Sequence, residues 1–161
     1  MTNKELVETF YRAFSNRDAE AMNACYADDI VFSDPVFGLI QGAEVRAMWQ
    51  MLCGNAQDFE LSYGPIEEVD AEYITCKWTA TYTFSATGRT VVNNAKAFMR
   101  IANGKITEHS DGFRLSTWIA QATGWVGKLF GWTHFMKGKV QKNARKNLLA
   151  FMNEQGKAAQ H

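Results

Sequence analysis

A chain of 161 residues that is 47% apolar and 13% aromatic can enclose one hydrophobic core and does not need a second domain. Its zero formal net charge hides an uneven balance: residues 1–119 hold 10 Lys and Arg against 16 Asp and Glu, and residues 120–161 hold 7 against 1. Three cysteines, Cys25, Cys53 and Cys76, are odd in number, far apart and without CxxC spacing, which excludes the usual zinc and dithiol motifs and suits free thiols in a reducing cytoplasm.

The N-terminal segment MTNKELVETFYRAF carries charge inside its apolar pattern, so it lacks the apolar run of a signal peptide and export is not expected. Leu6, Val7, Phe10 and Phe14 recur at three and four residues, predicting a helix over 4–15. Asp18 can cap a second short helix reaching Tyr26, with Met22, Cys25 and Tyr26 inward. DDIVFSDPVFG then alternates Ile30, Phe32 and Asp34 on one side of a short strand that Pro35 and Gly38 end. A third helix follows Gly42, with Val45, Met48, Trp49 and Leu52 on one stripe and a stop at Gly54.

From Phe59 to Leu115 the period changes to that of strands. Trp78, Ala80, Tyr82 and Phe84 alternate with Lys77, Thr79, Thr81 and Thr83; after the SATGR turn, Val91, Asn93, Ala95, Ala97, Met99 and Ile101 share one face. ANGK is a hairpin turn and KITEHSDGFRL the returning strand. On that strand His109, Asp111 and Phe113 are in phase, so an imidazole and a carboxylate point into the covered face. The fold class is α+β: a curved antiparallel sheet with the N-terminal helices folded into its concavity, over residues 1–116. Residues 117–161 form a helical extension on the same domain. WIAQATGWVGKLFGWTHFM is too interrupted to span a membrane and reads as a loop and short helix. The last helix carries Val140, Ala144, Leu148 and Phe151/Met152 on one stripe, expected to dock on the outer sheet face or on a second subunit. The basic tail admits an anionic membrane surface, nucleic acid or a solvated face complementing the acidic body; the last is preferred and no nucleic-acid partner is expected.

The order of two helices, YADDIVFSDPVFGLIQG, a third helix and long hairpins ending in NGKITEHSD resembles the nuclear transport factor 2-like superfamily, in its SnoaL-like and ketosteroid-isomerase-like branch. The resemblance covers roughly residues 4–116 and implies a cone with a ligand pocket at its open end. It implies that Asp34, in SDPVFG, stands where ketosteroid isomerases keep their general base. The two oxyanion donors of those enzymes fall on Phe10 and Ala97, which cannot donate, so ketosteroid isomerase activity itself is not expected. Tyr11, about 100° around the helix from Phe10, is a poor substitute. SnoaL-like cyclases are similar in carrying a carboxylate with a histidine near it on the last strand, matching Asp111 and His109. Similar cones open epoxides with an Asp–Arg–Asp set, for which the inner faces here offer no arginine.

The expected function is therefore cofactor-independent general acid–base proton transfer on an apolar, carbonyl- or hydroxyl-bearing small molecule. Asp34, His109 and Asp111 are the candidate catalytic residues. Asn93, Trp78, Tyr82, Phe10, Tyr26, Trp49 and Met99 are the candidate substrate contacts, and no metal or organic cofactor is expected. A homodimer is expected. The alternatives are a non-catalytic carrier or sensor of an apolar ligand, and a peripheral membrane or assembly protein acting through the tail. A structural reading also stands: the His109–Asp111 pair as a buried hydrogen bond, and Asp34 as a turn residue.

Overall fold

The computed structural model describes residues 1–159. Helix α1 (Asn3–Ser15) starts at a reciprocal cap, in which the Thr2 hydroxyl accepts the Glu5 N–H and the Glu5 carboxylate accepts the Thr2 N–H. Its inner stripe buries Leu6, Val7, Phe10, Tyr11 and Phe14, each large apolar side chain contributing about 1.5–3 kcal/mol relative to exposure. Asp18 caps α2 (Ala19–Ala24) by accepting the Ala21 N–H. That helix ends before Tyr26, which is instead the first residue of β1 (Tyr26–Asp34).

The strand expected to stop at Gly38 continues as a hairpin: β2 (Gly38–Gln41) returns antiparallel on β1. Its four residues are too few to show a period. Helix α3 (Ala43–Asn55) buries Val45, Met48 and Trp49 as expected, together with Ala47, Met51 and Cys53. Leu52 is not part of that buried set and is 38% exposed. Burial runs around α3 because it packs against α2, β1, β2 and the last helix, rather than along one stripe.

Strands β3 (Gln57–Glu68), β4 (Tyr73–Phe84), β5 (Arg89–Ala102) and β6 (Lys105–Gly112) complete a six-stranded sheet in the order β2-β1-β6-β5-β4-β3. The sheet is mixed, a correction to the all-antiparallel expectation, because β1 runs parallel to β6. A parallel pair needs a long connection, and the chain from α3 through β5 provides it. Strands β4 and β5 pair without a break from Tyr73↔Arg100 to Phe84↔Arg89, whereas β6 reaches only as far as Gly112 opposite Lys96. The far end of β5 therefore has a free edge.

The extension covers that edge. Helix α4 (Leu115–Thr123) places Gln121 so that its amide donates to the Val92 carbonyl at 3.1 Å and accepts the Val92 N–H at 2.6 Å, standing in for the missing strand. Where a loop and one short helix were expected, two helices form, α4 and α5 (Trp125–Phe130). The last helix, α6 (His134–Ala159), buries Leu148 with Ala144, Phe151 and Met152 partly buried beside it. It docks on α3 and the β1–β2 turn, not on the outer sheet face: Gln141 donates to the Pro35 carbonyl, and Arg145 donates to those of Phe37 and Leu39.

Candidate functional site

The alternation of β6 turns His109 and Asp111 into the cone, where they are 2% and 5% exposed. A chain of hydrogen bonds passes through them. The Trp49 indole N–H donates to the Tyr26 hydroxyl oxygen at 2.9 Å, and that hydroxyl meets His109 Nδ1 at 2.7 Å. His109 Nε2 lies 2.9 Å from Asp111 Oδ1, which also accepts the Trp78 indole N–H at 3.1 Å.

Donor and acceptor counting sets the direction of the chain. The Asp111 carboxylate can only accept, so it draws the single imidazole proton to Nε2, and Nδ1 is left to accept the Tyr26 O–H while the Tyr26 oxygen accepts from the Trp49 indole. The Trp49 and Trp78 indoles, the Tyr26 hydroxyl, both His109 nitrogens and Asp111 Oδ1 all have partners in this arrangement. Phe10, Phe32 and Trp49 surround the imidazole at ring-centroid distances of 5.5, 5.1 and 6.4 Å. Burial first, and then the Asp111 charge, push the Tyr26 hydroxyl pKa well above its ordinary value.

Asp34 is at the end of β1, half-buried. One oxygen, Oδ1, accepts the N–H groups of Val36 at 2.9 Å and Phe37, so Asp34 forms the turn that its place before Pro35 suggested. Among the described residues Oδ2 has no hydrogen-bond partner. Burial, opposed by the two backbone N–H groups and reinforced by the Asp111 charge, raises the carboxyl pKa from an ordinary 3.8 to about 7. Tyr82 lies near enough for the Asp34 charge to help raise its own pKa, behind burial as the main cause.

The sequence-predicted residues thus separate into two groups. Phe10, Tyr26, Trp49, Trp78 and Met99 are buried with His109 and Asp111 and pack against one another. Asn93 and Tyr82 are half-buried further along β5 and β4, toward the end where α4 lies. There the Trp118 indole N–H donates to the Tyr82 hydroxyl at 2.7 Å, and the Trp118 ring stands edge-on to Phe84. The two oxyanion positions are apolar and adjacent to the pair: Phe10 against the imidazole, Ala97 the register partner of Asp111.

Sequence reasoning set Tyr11 aside and missed Trp118 and Gln121. Tyr11 is 1% exposed, its hydroxyl has no partner among the described residues, and the Asp111 charge adds to the burial that raises its pKa. Its spacing from Val7 and Phe14 placed it on the inner stripe, a signal that the comparison with Phe10 obscured. Trp118 and Gln121 act across the fold and left no local trace. Among the described residues no three His, Cys, Asp or Glu side chains converge as a metal-binding group.

A family model described as the SnoaL-like domain matches residues 7–109. The chain belongs to the SnoaL-like family. Solved structures share the fold of this SnoaL-like chain. One, from Pseudomonas putida KT2440 and described as a candidate polyketide cyclase, is 25% identical, with a TM-score of 0.64 over 75% of this chain and 98% of its own. A nuclear transport factor 2-like protein of unknown function from Burkholderia pseudomallei K96243 is 24% identical, with a TM-score of 0.67 over 77% and 100%. A ketosteroid isomerase-like protein from Catenulispora acidiphila DSM 44928, in complex with trimethylamine, is 16% identical, with a TM-score of 0.65 over 76% and 94%. No curated protein matches the chain.

Proposed function

We propose that this SnoaL-like protein moves a proton to or from carbon in an apolar, carbonyl- or hydroxyl-bearing small molecule, with Asp34 as the base. The observation that carries the reading is the Asp34 carboxyl itself. Its own turn pins it through Oδ1 and leaves Oδ2 free, and burial, against the pull of the two turn N–H groups, raises its pKa to about 7, where a base can both be ionised and accept a proton near neutral pH. The description of similar structures as candidate polyketide cyclases agrees with an enolisable substrate.

In this reading Asn93 and Tyr82 face the substrate beside Asp34. The Asp111 carboxylate is a fixed charged background, because its charge helps raise the Asp34 pKa. His109 and Asp111 are then positioning residues more than proton acceptors, since their facing atoms are already engaged with each other, Tyr26 and Trp78. The three buried free thiols fit a cytoplasmic setting. A homodimer would use the outer sheet face, where Val92 and Phe98 are exposed.

A second reading, a carrier of an apolar ligand, draws support from that same saturated chain. One experiment separates the two: a panel of apolar ketones incubated with the protein in deuterated water, with α-proton exchange followed by NMR. The expected result is catalysed exchange by the wild type and a loss of about 100-fold or more in Asp34→Asn with ligand affinity kept. Binding without exchange would leave the carrier reading, and equal exchange by Asp34→Asn would remove Asp34 as the base.

A further inference from the structure

We infer that α5 and the start of α6 dock this protein on an anionic lipid surface. Among the described residues, five of the thirteen exposed large apolar side chains fall between Trp125 and Phe135: Trp125 is 70% exposed, Leu129 56%, Phe130 51%, Trp132 68% and Phe135 81%. A helix that only fills space against its own domain turns its large side chains inward. Here the sides are reversed. The buried residues of this segment are Gly127 and Gly131, and a Cβ on Gly127 would run into Thr123 and the Ile119 carbonyl. The backbone is drawn tight against α4 so that tryptophan, leucine and phenylalanine can stand outward.

The charge around these rings selects the partner. Between Asp111 and Glu154 the chain has no acidic residue and seven Lys and Arg. Lys128 is exposed within the aromatic set, and Lys137, Lys139 and Lys142 follow it along α6. Aromatic rings that enter the headgroup layer, with ammonium groups held at its surface, match an anionic bilayer. A second copy of the chain is a poorer fit, because a two-fold contact would set this acid-free segment against itself. Among the described residues no helix is long and apolar enough to cross a membrane, so the contact is peripheral.

The test uses the full chain and two kinds of vesicle, phosphatidylcholine alone and phosphatidylcholine mixed with phosphatidylglycerol, in a flotation assay. The expected result is binding to the mixed vesicles only, weakening as salt rises. Lys128→Gln should reduce partitioning about fivefold, and the combined Trp125→Ser, Trp132→Ser and Phe135→Ser variant about tenfold or more. Phe98→Ser, on the outer sheet face, should leave it unchanged. Brominated lipid should quench tryptophan fluorescence in the wild type and not in the triple variant, whose folding is checked by circular dichroism. Absence of binding to the mixed vesicles overturns the inference. So does binding that the triple variant retains, or a wild-type dimer that the triple variant disperses.

Discussion

The Tyr26 hydroxyl is the hinge of the buried chain: it accepts from Trp49 and donates to His109 Nδ1 at 2.7 Å. Tyr26→Phe removes both bonds while keeping the ring, which leaves a buried indole N–H and a buried imidazole nitrogen without partners. The expected loss of stability is about 2–4 kcal/mol, read from denaturant midpoints at constant slope. In the wild type, nitrogen NMR should find the imidazole proton on Nε2. A proton on Nδ1 would reverse the direction of the chain.

Asp111 acts on Asp34 at a distance. Its charge helps hold the Asp34 carboxyl up, so Asp111→Asn should lower the Asp34 pKa from about 7. Two-dimensional carboxyl NMR of the wild type and variant measures this directly. An unchanged midpoint would mean that the two carboxylates do not sense each other, and the charged background proposed for the site would be lost.

The raised Asp34 pKa also makes a stability prediction. Between an unfolded pKa near 3.8 and a folded pKa of about 7 the folded protein holds more protons, so stability falls as pH rises through that window. Asp34→Asn keeps an oxygen for the Val36 and Phe37 N–H groups and removes the buried charge. It should stabilise the protein at about pH 8, by at most about 4 kcal/mol, with the gain vanishing near pH 4. The same variant should lose proton transfer, whose rate in the wild type should rise with pH through about 7. A variant less stable than wild type at high pH would show that the carboxylate is favourably placed and not strained.

Much of this was legible in the sequence, for physical reasons. Strand alternation fixes parity, so the inward placement of Asp34, Asn93, His109, Asp111 and the β4 aromatics followed from counting twos. Helix caps at Asp18 and the stripe on α6 were likewise local. What was not legible depended on distance along the chain. The parallel β1–β6 pair, the Trp49–Tyr26 and Trp78–Asp111 bonds and the Trp118–Tyr82 contact each join residues more than twenty positions apart. Tyr26 was misplaced because Met22, Cys25 and Tyr26 keep a helical period, although the helix ends at Ala24 and Tyr26 opens the strand. The docking of α6 on the β1–β2 hairpin includes bonds from Gln141 and Arg145 to backbone carbonyls, which a hydrophobic pattern does not report.

Two glycines in the extension should behave in opposite ways. A methyl group on Gly127 would strike the Thr123 hydroxyl and come within 2.5 Å of the Ile119 carbonyl, both part of α4, so backbone must move. Gly127→Ala should cost about 1–3 kcal/mol. It should act locally, separating α5 from α4 and loosening the Trp118 contact with Tyr82. Gly138, inside α6, meets nothing within 4 Å. Gly138→Ala should therefore stabilise by about 0.4–1 kcal/mol through helix propensity and a less flexible unfolded chain. Hydrogen exchange reads both effects: faster exchange across residues 115–130 in Gly127→Ala with β4 to β6 protected as before, and slower exchange along α6 in Gly138→Ala. If Gly127→Ala left α4 and α5 as protected as in the wild type, the close approach of these helices would not be what turns the aromatic side chains outward.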